Sequence, residues 1–135
     1  MRILPLLLAA TLLARDGHAA EPAPLPPVLV TIADQGKTIE LKPGQTMQVV
    51  LDANRTTGFS WTVEKVDAAL LTLVGQPVYA IAEPKPGMVG VGGTETWHLL
   101  AVAPGEQRIQ FFYRRPFEPD VPPARTFALI VRIKS

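Results

Sequence analysis

Period-two alternation, in short runs cut by proline and glycine, is the feature that most restricts what this chain can become. In residues 46–52 the apolar side chains Met47, Val49 and Leu51 alternate with Gln48 and Asp52. Successive side chains of a strand point to opposite faces, so one face of this run is apolar and the other wet. The pattern recurs with Phe59, Trp61 and Val63, with Trp97, Leu99 and Ala101, with Ile109, Phe111 and Tyr113, and with Phe127, Leu129, Val131 and Ile133. Ser60, Thr62, Gln110 and Arg132 then fall on the wet faces. Turn residues close each run: Asp34-Gln35-Gly36, Lys42-Pro43-Gly44, residues 54–58, residues 83–93, Pro104-Gly105 and residues 116–123. The 14 prolines and 10 glycines are concentrated in these breaks and leave little room for long helices.

The pattern predicts eight strands, over residues 28–33, 38–41, 46–52, 59–63, 77–82, 95–103, 108–114 and 125–134. Only residues 64–71, EKVDAALL, read as helix, for one or two turns. Sheets with one wet face must pack in pairs, so the expected fold is all-β, an immunoglobulin-like antiparallel β-sandwich of about eight strands. Lys37, Lys42, Arg132 and the prolines are the expected protectors of its edges.

Three segments divide the 135 residues. Met1-Arg2 and the apolar run 3–14 are too short together to span a bilayer and match a cleaved export signal over residues 1–20, with Gly17 and Ala19 set for cleavage. Residues 21–27, EPAPLPP, form a proline-rich tether, and residues 28–135 the β-sandwich domain. The expected address is periplasmic or secreted, with no membrane attachment after processing. Without cysteine there is no disulfide, thiolate metal site, lipid anchor or cysteine nucleophile.

Composition also narrows the function. Arg2, Arg15 and Asp16 leave with the leader, and the remaining charges balance, so nothing draws the domain to nucleic acid. His98 is the single histidine after the leader, which leaves no base for a serine triad and no zinc set, and it reads as a half-exposed strand residue. Glu64, Asp67, Glu83, Glu95, Glu106, Glu118 and Asp120 read as solvated surface, not as a catalytic pair. The glycines of residues 87–93 run into a strand, Thr94-Glu95-Thr96-Trp97, where a phosphate cradle needs a helix. No catalytic residue, metal or cofactor is expected.

Three loops are chemically unusual for connectors. In Asn54-Arg55-Thr56-Thr57-Gly58, Asn54 can bond its own backbone and Gly58 permits a positive φ, which lifts the threonines to the tip. Gly90-Val91-Gly92-Gly93 offers backbone for close approach, and Arg115-Pro116-Phe117-Glu118 puts a cation and a ring on a stiffened loop. On residue chemistry alone, an exported binding or adhesion module stays open beside a peptidase inhibitor, and a carboxylate hydrolase beside both.

Taken in order, N-x-T-T-G-[FY]-x-W, G-x-G-G and R-P-[WF]-E resemble the chagasin family of cysteine-peptidase inhibitors. Here they are Asn54 to Trp61, Gly90 to Gly93, and Arg115 to Glu118, and the similarity runs from about Val28 to Lys134. The resemblance implies a monomeric sandwich that presents three loops to papain-like cysteine peptidases and inhibits them reversibly by occlusion. It assigns peptidase contact to Asn54, Arg55, Thr56, Thr57 and Gly58 at the centre, to Gly90, Val91, Gly92 and Gly93 on one flank, and to Arg115, Pro116 and Phe117 on the other. Two positions depart from the family pattern. Arg55 stands where proline is usual, which frees φ at a cost of about 0.4–1 kcal/mol in preorganisation and suits a target with an acidic cleft rim. Phe117 stands where tryptophan is common and keeps the aromatic face without the indole donor.

Overall fold

The computed structural model describes residues 25–83 and 92–135. The leader, residues 21–24 of the tether, and Gly90 and Val91 of the second loop lie outside the described residues. Nine strands are present among the described residues: β1 (Val28–Thr31), β2 (Thr38–Leu41), β3 (Thr46–Ala53), β4 (Ser60–Val63), β5 (Leu71–Leu73), β6 (Val78–Ile81), β7 (Gly93–Ala101), β8 (Gly105–Arg114) and β9 (Arg125–Ile133). They form two sheets. One runs β1-β3-β7-β5 with β6 also paired to β7, and the other runs β2-β9-β8-β4.

The apolar stripes of both sheets meet between them. Met47, Val49, Leu51, Leu99, Phe111, Phe127 and Val131 have no solvent exposure, and Trp61, Ala101, Ile109, Leu129 and Ile133 are buried with them. Each such aliphatic or aromatic side chain contributes roughly 1.5–3 kcal/mol of burial. Phe111 links the sheets by edge-on contact with Trp97 (5.5 Å between ring centres), and within its own sheet it meets its cross-strand partner Phe127 in a tilted contact (6.1 Å). The expected all-β sandwich is the observed one, and His98 is half-exposed as expected.

Four local expectations are corrected. Residues 64–71 contain no helix: Leu70 and Leu71 donate to the carbonyl of Asp67 in a single turn, after which Leu71–Leu73 becomes β5 against Leu99–Ala101. Leu71 has no exposure, so a buried pairing outweighs weak local helix propensity. β5 and β6 lie end to end along β7, broken at Gly75, where φ is +69°. The first strand stops at Thr31, whose side chain and backbone close a capping box with Asp34 over a 3-10 turn at Ile32–Asp34. Two pairs, β1 with β3 and β2 with β9, are parallel in an otherwise antiparallel arrangement. Arg132 is no edge protector: β9 lies between β2 and β8, and its guanidinium joins Glu106 (2.9 Å) and Glu40 (3.6 Å) across both neighbours.

Candidate functional site

The connections joining β3 to β4 and β8 to β9 meet at one pole of the sandwich with the described end, Gly92, of the connection joining β6 to β7. The first is a 3-10 turn, Arg55–Thr57, capped at its start by Asn54. Asn54 Oδ1 accepts the Thr56 N–H (3.1 Å) and hydroxyl (2.5 Å), and its carbonyl accepts the Thr57 hydroxyl (2.6 Å). These bonds use the local donors and acceptors that an Asx cap provides. Gly58 then reverses the chain at φ +84°, the left-handed geometry expected of it. Arg55, Thr56 and Thr57 are exposed at the tip.

Side chains from the sandwich fasten this turn from below. Asn54 donates its N–H to the hydroxyl of Tyr113 (2.8 Å), and Arg55 donates its N–H to the hydroxyl of Tyr79 (3.3 Å). Tyr113 is itself packed between Phe59 (5.2 Å, stacked) and Trp61 (5.0 Å), and Trp61 donates its indole N–H to the Asp52 carbonyl (2.9 Å). Arg125 lies 5.1 Å from the rings of both Trp61 and Tyr113, which places a cation under the aromatic floor.

The other two loops touch the first. Arg115 donates from Nε to the Thr57 carbonyl (3.0 Å), lies 4.5 Å over the Phe59 ring and pairs with Glu118 (3.4 Å). The Phe117 ring covers Gly58 so closely that a β-carbon there would sit 3.1 Å from the ring. The remainder of Phe117 is in solvent, 69% exposed, beside an exposed Pro116. On the opposite side Gly92 abuts the first loop: a β-carbon on Gly92 would stand 3.3 Å from the Ala53 carbonyl and 3.6 Å from Asn54 Cβ. Gly92 and Phe117 therefore touch the turn at its two ends, with Thr56 and Thr57 exposed between them.

Two expected placements change. Gly93 is the first residue of β7, opposite Ala53 of β3 and Ile81 of β6, so its backbone lies inside the sheet and not on the open flank. Its glycine is required by space, since a β-carbon would fall 2.0 Å from the Ala80 carbonyl oxygen. Glu95 is not surface: it has no exposure, accepts the Trp61 N–H at Oε2 (3.1 Å), and pairs through Oε1 with Arg55 (3.5 Å). A signal for this was present, because the alternation that buries Trp97, Leu99 and Ala101 extends two residues back to Glu95. Tyr79 had no such signal, since β6 is largely exposed and its alternation is weak.

The Chagasin family peptidase inhibitor I42 profile matches residues 40–131, which include the first and third loops and the described end of the second. The chain belongs to the chagasin family. Amoebiasin-1 of Entamoeba histolytica is 30% identical over 105 residues, covering 78% of this chain and 98% of that protein. Chagasin of Trypanosoma cruzi is 30% identical over 93 residues, covering 65% of this chain and 81% of chagasin. The crystal structure of the cysteine protease inhibitor EhICP2 from Entamoeba histolytica superposes with a TM-score of 0.70 at 26% identity, covering 80% of this chain and 96% of that one. As a member of a peptidase-inhibitor family, this chagasin-family chain is not an enzyme.

Proposed function

We propose that the protein is a reversible inhibitor of papain-like cysteine peptidases and that the three-loop pole enters and occludes the active-site cleft. Thr56 and Thr57 take the centre, Gly92 with Gly90 and Val91 one flank, and Arg115, Pro116 and Phe117 the other. The observation that carries this reading is the mutual bracing of the loops: Phe117 on Gly58, Arg115 on the Thr57 carbonyl, and Gly92 against Asn54. A braced wedge loses little conformational entropy on docking, and a standard interface of roughly 1,600 Å² then suffices for tight binding. A turn this strongly tied to its own scaffold also presents no extended peptide bond to the attacking thiolate. We read the protein as a monomer that acts outside the cytoplasm, in the periplasm or secreted, after loss of residues 1–20; N-terminal sequencing of the exported protein checks the cleavage.

Titration of papain with the purified protein, followed by hydrolysis of a small fluorogenic substrate, tests the inhibitor reading. Saturable loss of activity that recovers on dilution, with the added protein uncut, is the expected result. Full papain activity at micromolar protein, repeated with a cathepsin-like enzyme, overturns it.

A further inference from the structure

Glu95 has no role among the contact residues, yet it is the one buried charged residue among those described. It sits on β7 between Leu51 of β3 and Tyr79 of β6. Oε2 accepts the Trp61 N–H, whereas Oε1 has no hydrogen-bond partner and lies 3.5 Å from Nη2 of Arg55. A carboxylate removed from water requires a counter-charge, and removing one partner of such a pair is far more damaging than losing an exposed one. Arg55 is therefore drawn back onto the sandwich instead of outward, although its side chain stays 43% exposed. Its guanidinium lies 4.8 Å over the Tyr79 ring, and its own N–H is held by the Tyr79 hydroxyl.

Arg55 is also the first residue of the 3-10 turn whose next two residues are the exposed threonines. The first position of a helical turn is where proline would fix φ covalently. Here an arginine anchored at both ends occupies it, so the restriction comes from a charge pair beneath the loop. We propose that Glu95 is a positioning residue for inhibition: through Arg55 it holds the Asn54–Gly58 turn in its docking conformation, in place of a proline. This rests on the inhibitor reading above. It also gives Arg55 an inward role where an acidic rim on the target was the expectation.

The test compares the wild-type protein with Glu95→Gln and with Glu95→Gln/Arg55→Pro. Glutamine keeps an acceptor for the Trp61 N–H and removes the charge that holds Arg55. Asn54 is extended (φ −134°, ψ 94°), outside the helical region that a following proline disfavours, and proline gives up the Arg55 N–H bond to Tyr79. A turn that is competent only part of the time binds more weakly by that fraction, so Glu95→Gln is expected to slow association with papain on the order of tenfold while leaving dissociation nearly unchanged. In the free protein, amide exchange of Thr56, Thr57 and Gly58 should quicken while that of β8 and β9 holds. In the double variant the exchange of Thr56, Thr57 and Gly58 should return to about the wild-type rate, because proline restores the restriction without the pair.

Wild-type association by Glu95→Gln with unchanged loop exchange overturns the proposal. So does a double variant whose loop exchange stays as quick as the single one's, because Glu95 then acts through the core. A Glu95→Gln protein that fails to fold passes the test to Arg55→Gln, which cuts the same pair from its exposed side: quicker loop exchange in the free protein supports the proposal and unchanged exchange overturns it. Wild-type protein with no effect on papain defeats the inhibitor reading alone, since the exchange measurement needs no peptidase and still decides whether the pair holds the loop.

Discussion

The two poles of the sandwich are held by different means. At the pole away from the three loops much of the fastening is backbone to backbone: Gly44 donates to the Ala101 carbonyl (2.8 Å), Ala101 to Gln45 (2.9 Å) and Val102 to Leu70 (2.8 Å), with the Gln107 side chain bonding the Asp67 backbone beside them (3.1 and 3.3 Å). At the loop pole the fastenings are side chains from elsewhere in the chain, namely Tyr113, Tyr79, Glu95 and Arg115. One glycine from each pole shows the contrast, although Gly105 at the far pole is itself crowded by Leu70. Gly44 and Gly58 both have positive φ, +89° and +84°, but a β-carbon on Gly44 meets open space and one on Gly58 meets Phe117. Backbone stitching tolerates most side chains, so that pole depends on fewer particular residues. Side-chain fastening makes the other pole's shape depend on particular residues, which is what a specific docking surface requires.

Substitutions can break this contrast or sharpen it. Trp61→Ala removes a buried ring that supports Tyr113, carries Arg125 and bonds Asp52, and should cost about 3–5 kcal/mol by chemical denaturation. A much smaller loss would mean that the floor of the loop pole is not part of the core. Tyr113→Phe strands the Asn54 N–H and should cost about 1–3 kcal/mol in the same assay, together with weaker papain inhibition. Equal stability would show that the first loop does not depend on this side-chain tie. Thr57→Asp introduces a charge at the tip, and the inhibition constant is expected to rise by an order of magnitude or more at a near-constant melting temperature. An unaltered constant would take the turn out of the contact.

The smallest effects come from the paired glycines. Gly44→Ala should cost about 1 kcal/mol of stability from strain at positive φ, with inhibition untouched. Gly58→Ala should lose a similar amount and also displace Phe117, so that inhibition weakens several-fold in the papain titration. Identical behaviour of the two variants would erase the distinction between the poles.

The loop pole was legible in part. Asn54 as an Asx cap and Gly58 at positive φ follow from the residues of one turn, and the turn has both. What the turn stands on was not legible. Tyr79 and Tyr113 are 24 and 59 residues from the backbone groups they hold, and no local pattern marks such a meeting. Gly93 was assigned to the open flank because a glycine needed for close approach to a partner is indistinguishable, in a sequence, from one needed for close approach of β6. Glu95 was set on the surface because acidic residues are seldom buried, although its place in the alternation pointed inward.

By itself the sequence determined what depends on neighbours along the chain: the strand faces through period two, the breaks through proline and glycine, and the cap and reversal of the first loop. Tertiary structure alone decided what depends on register between distant strands. It turned Leu71 from a helix end into the first residue of β5, because an open stretch of β7 was there to pair with. It also placed a carboxylate beneath Arg55, because β7 brings residue 95 under a loop that ends β3. Local preferences are worth tenths of a kcal/mol per residue, whereas a buried strand pairing or a buried charge engages several, so the contacts between distant residues prevail wherever the two conflict.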